Sequence, residues 1–101
     1  MAEHAVIIDV SRYHPASGRR NELLAAMNAL AATTGGSEGC FGAQVCASDR
    51  DEEALVAISR WASPAALEAF AGSPDFVAER ERMSFLLAGP AEHEHLRSHP
   101  T

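Results

Sequence analysis

The sequence is poor in aromatic side chains, with one tryptophan, one tyrosine and four phenylalanines. Much of its 47% apolar content is alanine, which buries little area per residue. A core built this way is modest, and a second chain covering one face adds the missing burial. Cysteine is scarce as well. Cys40 and Cys46 fall on one expected strand, about 20 Å apart at ~3.3 Å per residue. A disulfide needs Cα atoms within ~7 Å, so the pair is expected to remain as ordinary thiols. Basic residues are few, 8 against 14 acidic ones for a net charge of −6. Beyond Arg19-Arg20 and the Arg80/Arg82 pair no basic cluster forms. Phosphate neutralisation dominates affinity for DNA and RNA, so the balance argues against a nucleic-acid partner. Long apolar runs are missing, and none approaches the ~20 residues that span a bilayer. The start, Met1-Ala-Glu-His-Ala-Val, carries no basic n-region or apolar h-region. The expected location is therefore cytoplasmic, with no membrane partner.

The 101 residues suit one domain, with a core over about 5–97 and a tail at 98–101. Residues 5–13 are rich in β-branched side chains and predict a first strand. After the turn at His14-Pro15, residues 19–34 carry Leu23, Met27 and Leu30 at helical spacing, stopped by Gly35-Gly36. Residues 40–48 alternate as a second strand, with Phe41, Ala43, Val45 and Ala47 on one side and Cys40, Gly42, Gln44 and Cys46 on the other. A charged turn at 49–53 leads to a third strand at 54–61. Ser63-Pro64 and Ser73-Pro74 each supply an N-cap and a first-turn proline. They predict a short helix through Phe70 and another to about Leu87, with Phe76, Arg80, Met83 and Leu87 on one face. Gly89-Pro90 breaks the second, and residues 91–97 form a polar last strand. The order β-α-β-β-α-α-β predicts an α+β, ferredoxin-like fold: a four-stranded antiparallel sheet with the helices on one face.

In that fold the first and third strands are central neighbours. Ile8–Tyr13 and Val56–Trp61 share a pattern that ends Ser-Arg-aromatic, mild support for pseudo-twofold symmetry. Strand parity gives each a β-branched face (Ile8, Val10, Val56, Ile58) and a face of small and polar groups. The second face carries Asp9, Ser11 and Tyr13 beside Ala57, Ser59 and Trp61, and is expected to be closed at one end by the two aromatics. Small side chains beneath helices leave room for a pocket, roofed by Met27, Leu67, Phe70, Phe76 and Met83. One layer of helices covers only one face. The aliphatic face is then an expected homodimer interface, giving a solution mass near twice 10.7 kDa.

Four stretches together resemble the antibiotic biosynthesis monooxygenase family, nearly end to end. They are the run beginning Val10-Ser-Arg-Tyr-His-Pro, then Gly39-Cys-Phe, then Ser59-Arg-Trp-Ala-Ser-Pro-Ala-Ala-Leu-Glu-Ala-Phe, and finally Ser73-Pro-Asp-Phe. The resemblance implies a dimeric α+β barrel with a pocket between helices and sheet. It also implies a monooxygenase acting on hydroquinones, anthrones or related polyketide phenols with molecular oxygen, and needing no metal, flavin or nicotinamide. In such chemistry the protein binds, orients and moves a proton while the substrate anion reduces oxygen. On this reading Asp9 is the expected base, with His14 second, and Trp61 confines the flat substrate. Ser11, Tyr13 and Ser59 bind its oxygens, and Phe70, Phe76, Arg80 and Met83 complete the pocket. A second branch of the family binds or degrades haem. It places asparagine at Ser11, tryptophan at Trp61 and an axial histidine at Arg80; only the tryptophan is kept, and arginine does not ligate iron.

His93, His95 and Arg97 share a face of the last strand, with His99 beyond and His4 near the start of its neighbour. Imidazoles at i and i+2 can share zinc, copper or nickel. No cysteine or carboxylate pattern completes a signature, so a polar exposed edge is expected and no metal ligand is assigned. The alternative to an enzyme is a dimeric module that binds a small ligand without turnover.

Overall fold

A computed structural model describes residues 6–98; His4, His99, Ala5 at the expected start of the first strand and the tail beyond Ser98 lie outside them. Its elements run β1 (Ile7–Tyr13), α1 (Arg20–Gly35), β2 (Cys40–Ala47), β3 (Leu55–Trp61), α2 (Pro64–Ala71), α3 (Pro74–Ser84) and β4 (Glu92–Arg97). The strands form one antiparallel sheet in the order β2-β3-β1-β4, with the helices packed on one face. This is the α+β ferredoxin-like arrangement that the element order predicts. Among the described residues no helix is long and apolar enough to cross a membrane.

Local chemistry sets the helix starts. The Ser63 side chain accepts from the backbone N–H of Ala66, and that of Ser73 from Phe76, each with proline at the first helical turn. Between β2 and α2 the backbone comes close: Gly39 adopts φ +81°, and a Cβ there would sit 2.6 Å from that of Ala66. Only glycine fits this approach, which lays α2 against the sheet.

Two buried clusters hold the helices down. One joins Tyr13, Leu23, Met27, Leu55 and Met83; the other joins Ile7, Trp61 and Leu67. Each fully buried side chain contributes about 1.5–3 kcal/mol relative to exposure. The opposite sheet face carries Ile8, Val10, Ile58 and Leu96, and Leu96 is 42% exposed.

Three details differ from the sequence reading. The helix α3 stops at Ser84, not near Leu87. The carbonyl of Leu86 accepts from Ala16 and the N–H of Ala88 donates to His14. Those groups are engaged outside the helix, and Leu87 bridges to Pro15 instead of extending the helical face. Strand β2 has an irregularity between Cys40 and Gly42, which puts Cys40 opposite Trp61 and Ala43 opposite Ser59. Cys40 therefore packs inward with Trp61 while Phe41 is 63% exposed, so strict alternation fails at this end. Finally, Tyr13 pairs with Leu55 and Trp61 pairs with Ile7. Antiparallel pairing places the two aromatics at opposite ends of the inner face, not together at one.

Candidate functional site

Between the sheet and the helices lies a cavity of about 250 Å3. Its helix wall is mostly apolar: Met27 and Leu30 from α1, Phe70 from α2, and Phe76 and Met83 from α3. Arg80 adds a cation to this wall, its guanidinium carbon 5.7 Å from the centre of the Phe76 ring. The sheet wall is different. It presents Asp9, Ser11 and Tyr13 of β1, Ala57 and Ser59 of β3, and His93 and His95 of β4.

The β1–β4 register builds the polar part of that wall. Asp9 lies opposite His95, and Ser11 opposite His93. Directly opposed residues on one face stand about 4.5–5.5 Å apart, within reach of a side-chain contact. Nε2 of His95 is 2.9 Å from Oδ1 of Asp9, and Nδ1 of His93 is 2.8 Å from Oγ of Ser11. A carboxylate on a central strand needs such a partner, because burying an unpaired charge is costly. The Asp9 side chain keeps 25% of its surface exposed and that of His95 keeps 61%, so this pair stands toward the mouth.

Deeper along β1, Tyr13 is only 6% exposed and meets the His93 ring edge-on at 6.3 Å. Burial pushes its phenol above the ordinary value of 10.0. The Asp9 charge acts in the same direction, while the Ser11 hydroxyl and Arg80 pull it down. A second depression, of about 450 Å3, shares Tyr13, Arg80, Met83 and His93 with the first, so these side chains border both spaces.

Seven residues expected to bind substrate line the cavity together: Ser11, Tyr13, Ser59, Phe70, Phe76, Arg80 and Met83. Asp9 joins them. Two expected residues do not. His14 lies outside, its Nε2 3.3 Å from a carboxylate oxygen of Asp51. Trp61 is fully buried behind the wall, with the Phe70 ring packed against it, tilted by 37° at a centre-to-centre distance of 5.2 Å. Its indole N–H donates to Oγ of Ser59 at 2.8 Å. Trp61 thus braces Phe70 and Ser59, and the Ser59 hydroxyl, as acceptor of that bond, keeps its own proton to donate elsewhere.

The sequence reading placed His93 and His95 on an exposed edge, and β4 is such an edge, exposed along its length; what that reading missed is that both imidazoles also line the cavity. The signal was available: a last strand paired antiparallel to the first puts alternate residues on the face of Asp9 and Ser11. Among the described residues, no group of three or more His, Cys, Asp or Glu side chains is placed to hold a metal ion.

The sequence matches the antibiotic biosynthesis monooxygenase family over residues 6–82. No curated protein matches it. Rv0793 from Mycobacterium tuberculosis has a similar structure, with a TM-score of 0.85 at 25% identity over 95% of this chain and 97% of that one. A conserved protein from Methanosarcina mazei Go1 gives 0.87 at 20% identity, over 95% of each chain. SnoaB, a cofactor-independent oxygenase from Streptomyces nogalater, gives 0.82 at 18% identity, over 95% of each chain. At these two lower identities the likeness is one of fold.

Proposed function

The chain belongs to the antibiotic biosynthesis monooxygenase family, and from that premise we propose that it oxidises a hydroquinone-, anthrone- or polyketide-like aromatic with molecular oxygen. The observation that carries this reading is the contrast between the cavity's walls. A flat ring fits between Phe70 and Phe76 on one side and the small residues Ala57 and Ser59 on the other. Its oxygens meet Ser11, Tyr13 and Ser59, and a developing anion is offset by Arg80. No metal, flavin or nicotinamide is required: the electron-rich anion reduces oxygen itself. One oxygen atom enters the substrate and the other leaves as water. The protein's work is to bind, orient and take a proton at the Asp9 end of the wall.

The reading includes a homodimer. The outer sheet face, with Ile8, Val10, Ile58 and Leu96, is the surface that a second copy would cover. A single-chain mass in solution would remove this part.

Oxygen uptake by the chelator-treated protein, with a panel of hydroquinones and anthrones, tests the whole. Wild type should exceed the spontaneous background. Asp9→Asn should lower the turnover, and Phe70→Ala should weaken substrate binding. Background uptake throughout, together with saturable binding of the same aromatics, would replace the enzyme with a ligand-binding module.

A further inference from the structure

Resting on that reading of the cavity, we propose that His95 is the group that takes the substrate's proton. Asp9 is then its positioning carboxylate and His93 a second proton station. Together they give the site an activity that needs no oxygen: keto–enol exchange of a ketone with an acidic C–H, such as an anthrone.

The geometry begins with the Asp9–His95 contact. An ionised carboxylate only accepts, so the His95 Nε2 that faces Asp9 at 2.9 Å carries the hydrogen. In the neutral ring the lone pair is then on Nδ1. For Asp9 itself to act as base it would have to leave this contact; the second ring nitrogen of His95 has no hydrogen-bond partner among the described residues. Imidazole is also the side chain that takes and returns a proton near neutral pH.

The neighbouring row is built the other way round. Nδ1 of His93 lies 2.8 Å from Oγ of Ser11. With Ser11 donating to that nitrogen, Nε2 of His93 bears a hydrogen and is a donor. Asp9 and Ser11 are two residues apart on β1, so the rows are about 6.8 Å apart along the strand. One wall of one cavity thus holds a proton acceptor and a proton donor side by side. A ketone whose acidic C–H lies across a ring from its carbonyl presents the two ends to the two rows.

The step balances. The C–H bond breaks and its proton passes to Nδ1 of His95. The electron pair moves through the ring to the carbonyl oxygen, which takes the hydrogen from Nε2 of His93; His93 is exposed and regains a proton from solvent as His95 releases one there. The enol forms with no electron gained or lost, and the reverse steps return the ketone. The His95 side chain is 61% exposed, so its proton exchanges with solvent. In D2O the returned ketone then carries deuterium.

Anthrone under argon in neutral D2O, followed by NMR as its methylene signal fades, is the test. Wild type should accelerate exchange over buffer alone, and His95→Gln should slow it by about 100-fold. His93→Gln should slow it too. Asp9→Asn should lower the rate at saturating anthrone and leave the half-saturating concentration unchanged, because Asp9 acts through His95. His95→Gln exchanging as fast as wild type would overturn the assignment, as would Asp9→Asn alone abolishing exchange. Oxygen uptake in air separates the two readings. Uptake without anaerobic exchange overturns this inference and leaves the oxygenase; exchange without uptake supports the inference and removes the oxygenase.

Discussion

Ser11-Arg12-Tyr13 and Ser59-Arg60-Trp61 repeat one pattern on adjacent strands, yet the two segments do opposite things. The β1–β3 register is consistent with a local twofold through the Val10–Ile58 pair that exchanges one segment for the other. Both aromatics are buried and both serines face the cavity. The serines then diverge. Ser59 accepts from Trp61 on its own strand, whereas Ser11 reaches across to His93 on β4. The aromatics diverge as well, since Tyr13 lines the cavity and Trp61 is sealed behind it. The cause is the outer neighbour. β3 is flanked by β2, which offers Ala43 and Val45 on this face; β1 is flanked by β4, which offers His93 and His95. A repeated motif becomes framework or chemistry according to the strand beside it.

Removing the framework half should have the largest effect. Trp61→Ala empties a fully buried site and should cost about 3–5 kcal/mol of folding stability, read by denaturant unfolding. For a domain whose total is about 5–15 kcal/mol, that brings the fold near its limit. A loss below ~1 kcal/mol would mean that the indole is not the brace described. Next comes Ser59→Ala, which strands a buried indole N–H and should cost about 1–3 kcal/mol. In a Trp61→Phe background the same change should cost much less, because no donor is left unpaired. Equal losses in both backgrounds would sever the Ser59–Trp61 link.

Residue patterns made the elements, their order and the faces of β1 and β3 legible, because alternation and capping are local. Ser63-Pro64 and Ser73-Pro74 mark helix starts whatever surrounds them. Register is not local. Tyr13 and Trp61 end far apart because antiparallel strands send their last residues to opposite ends, a consequence of the expected sheet that the parity of each strand taken alone does not carry. The end of α3 escaped for the same reason, since just beyond it the Leu86 carbonyl accepts from Ala16 and the Ala88 N–H donates to the His14 carbonyl, both at a distant turn. The site was half legible. Asp9, Ser11, Tyr13 and Ser59 followed from parity, but His95 and His93 became visible only once β4 was paired, as their partners sit far off in sequence. His14 stood out as a histidine beside Tyr13, and the turn simply points it at Asp51.

The smallest predicted effect bears on the chemical half. Tyr13 is the one tyrosine of the chain, so a phenolate absorbance titration reads it alone. Its value in the fold is raised above 10.0, first by burial and then by the Asp9 charge. Below pH 10 the phenol is neutral in folded and unfolded chains alike, and it adds no slope to stability. Above pH 10 the unfolded chain ionises first and binds fewer protons than the folded one, so stability falls until the folded phenol ionises too. Tyr13→Phe should cost about 1 kcal/mol or less at neutral pH, and should make the decline above pH 10 shallower. A native titration midpoint at or below 10 would put the phenol in water. Tyr13 would then be a rim residue, and the contrast between a sealed tryptophan and a buried cavity tyrosine would reduce to one between inside and outside.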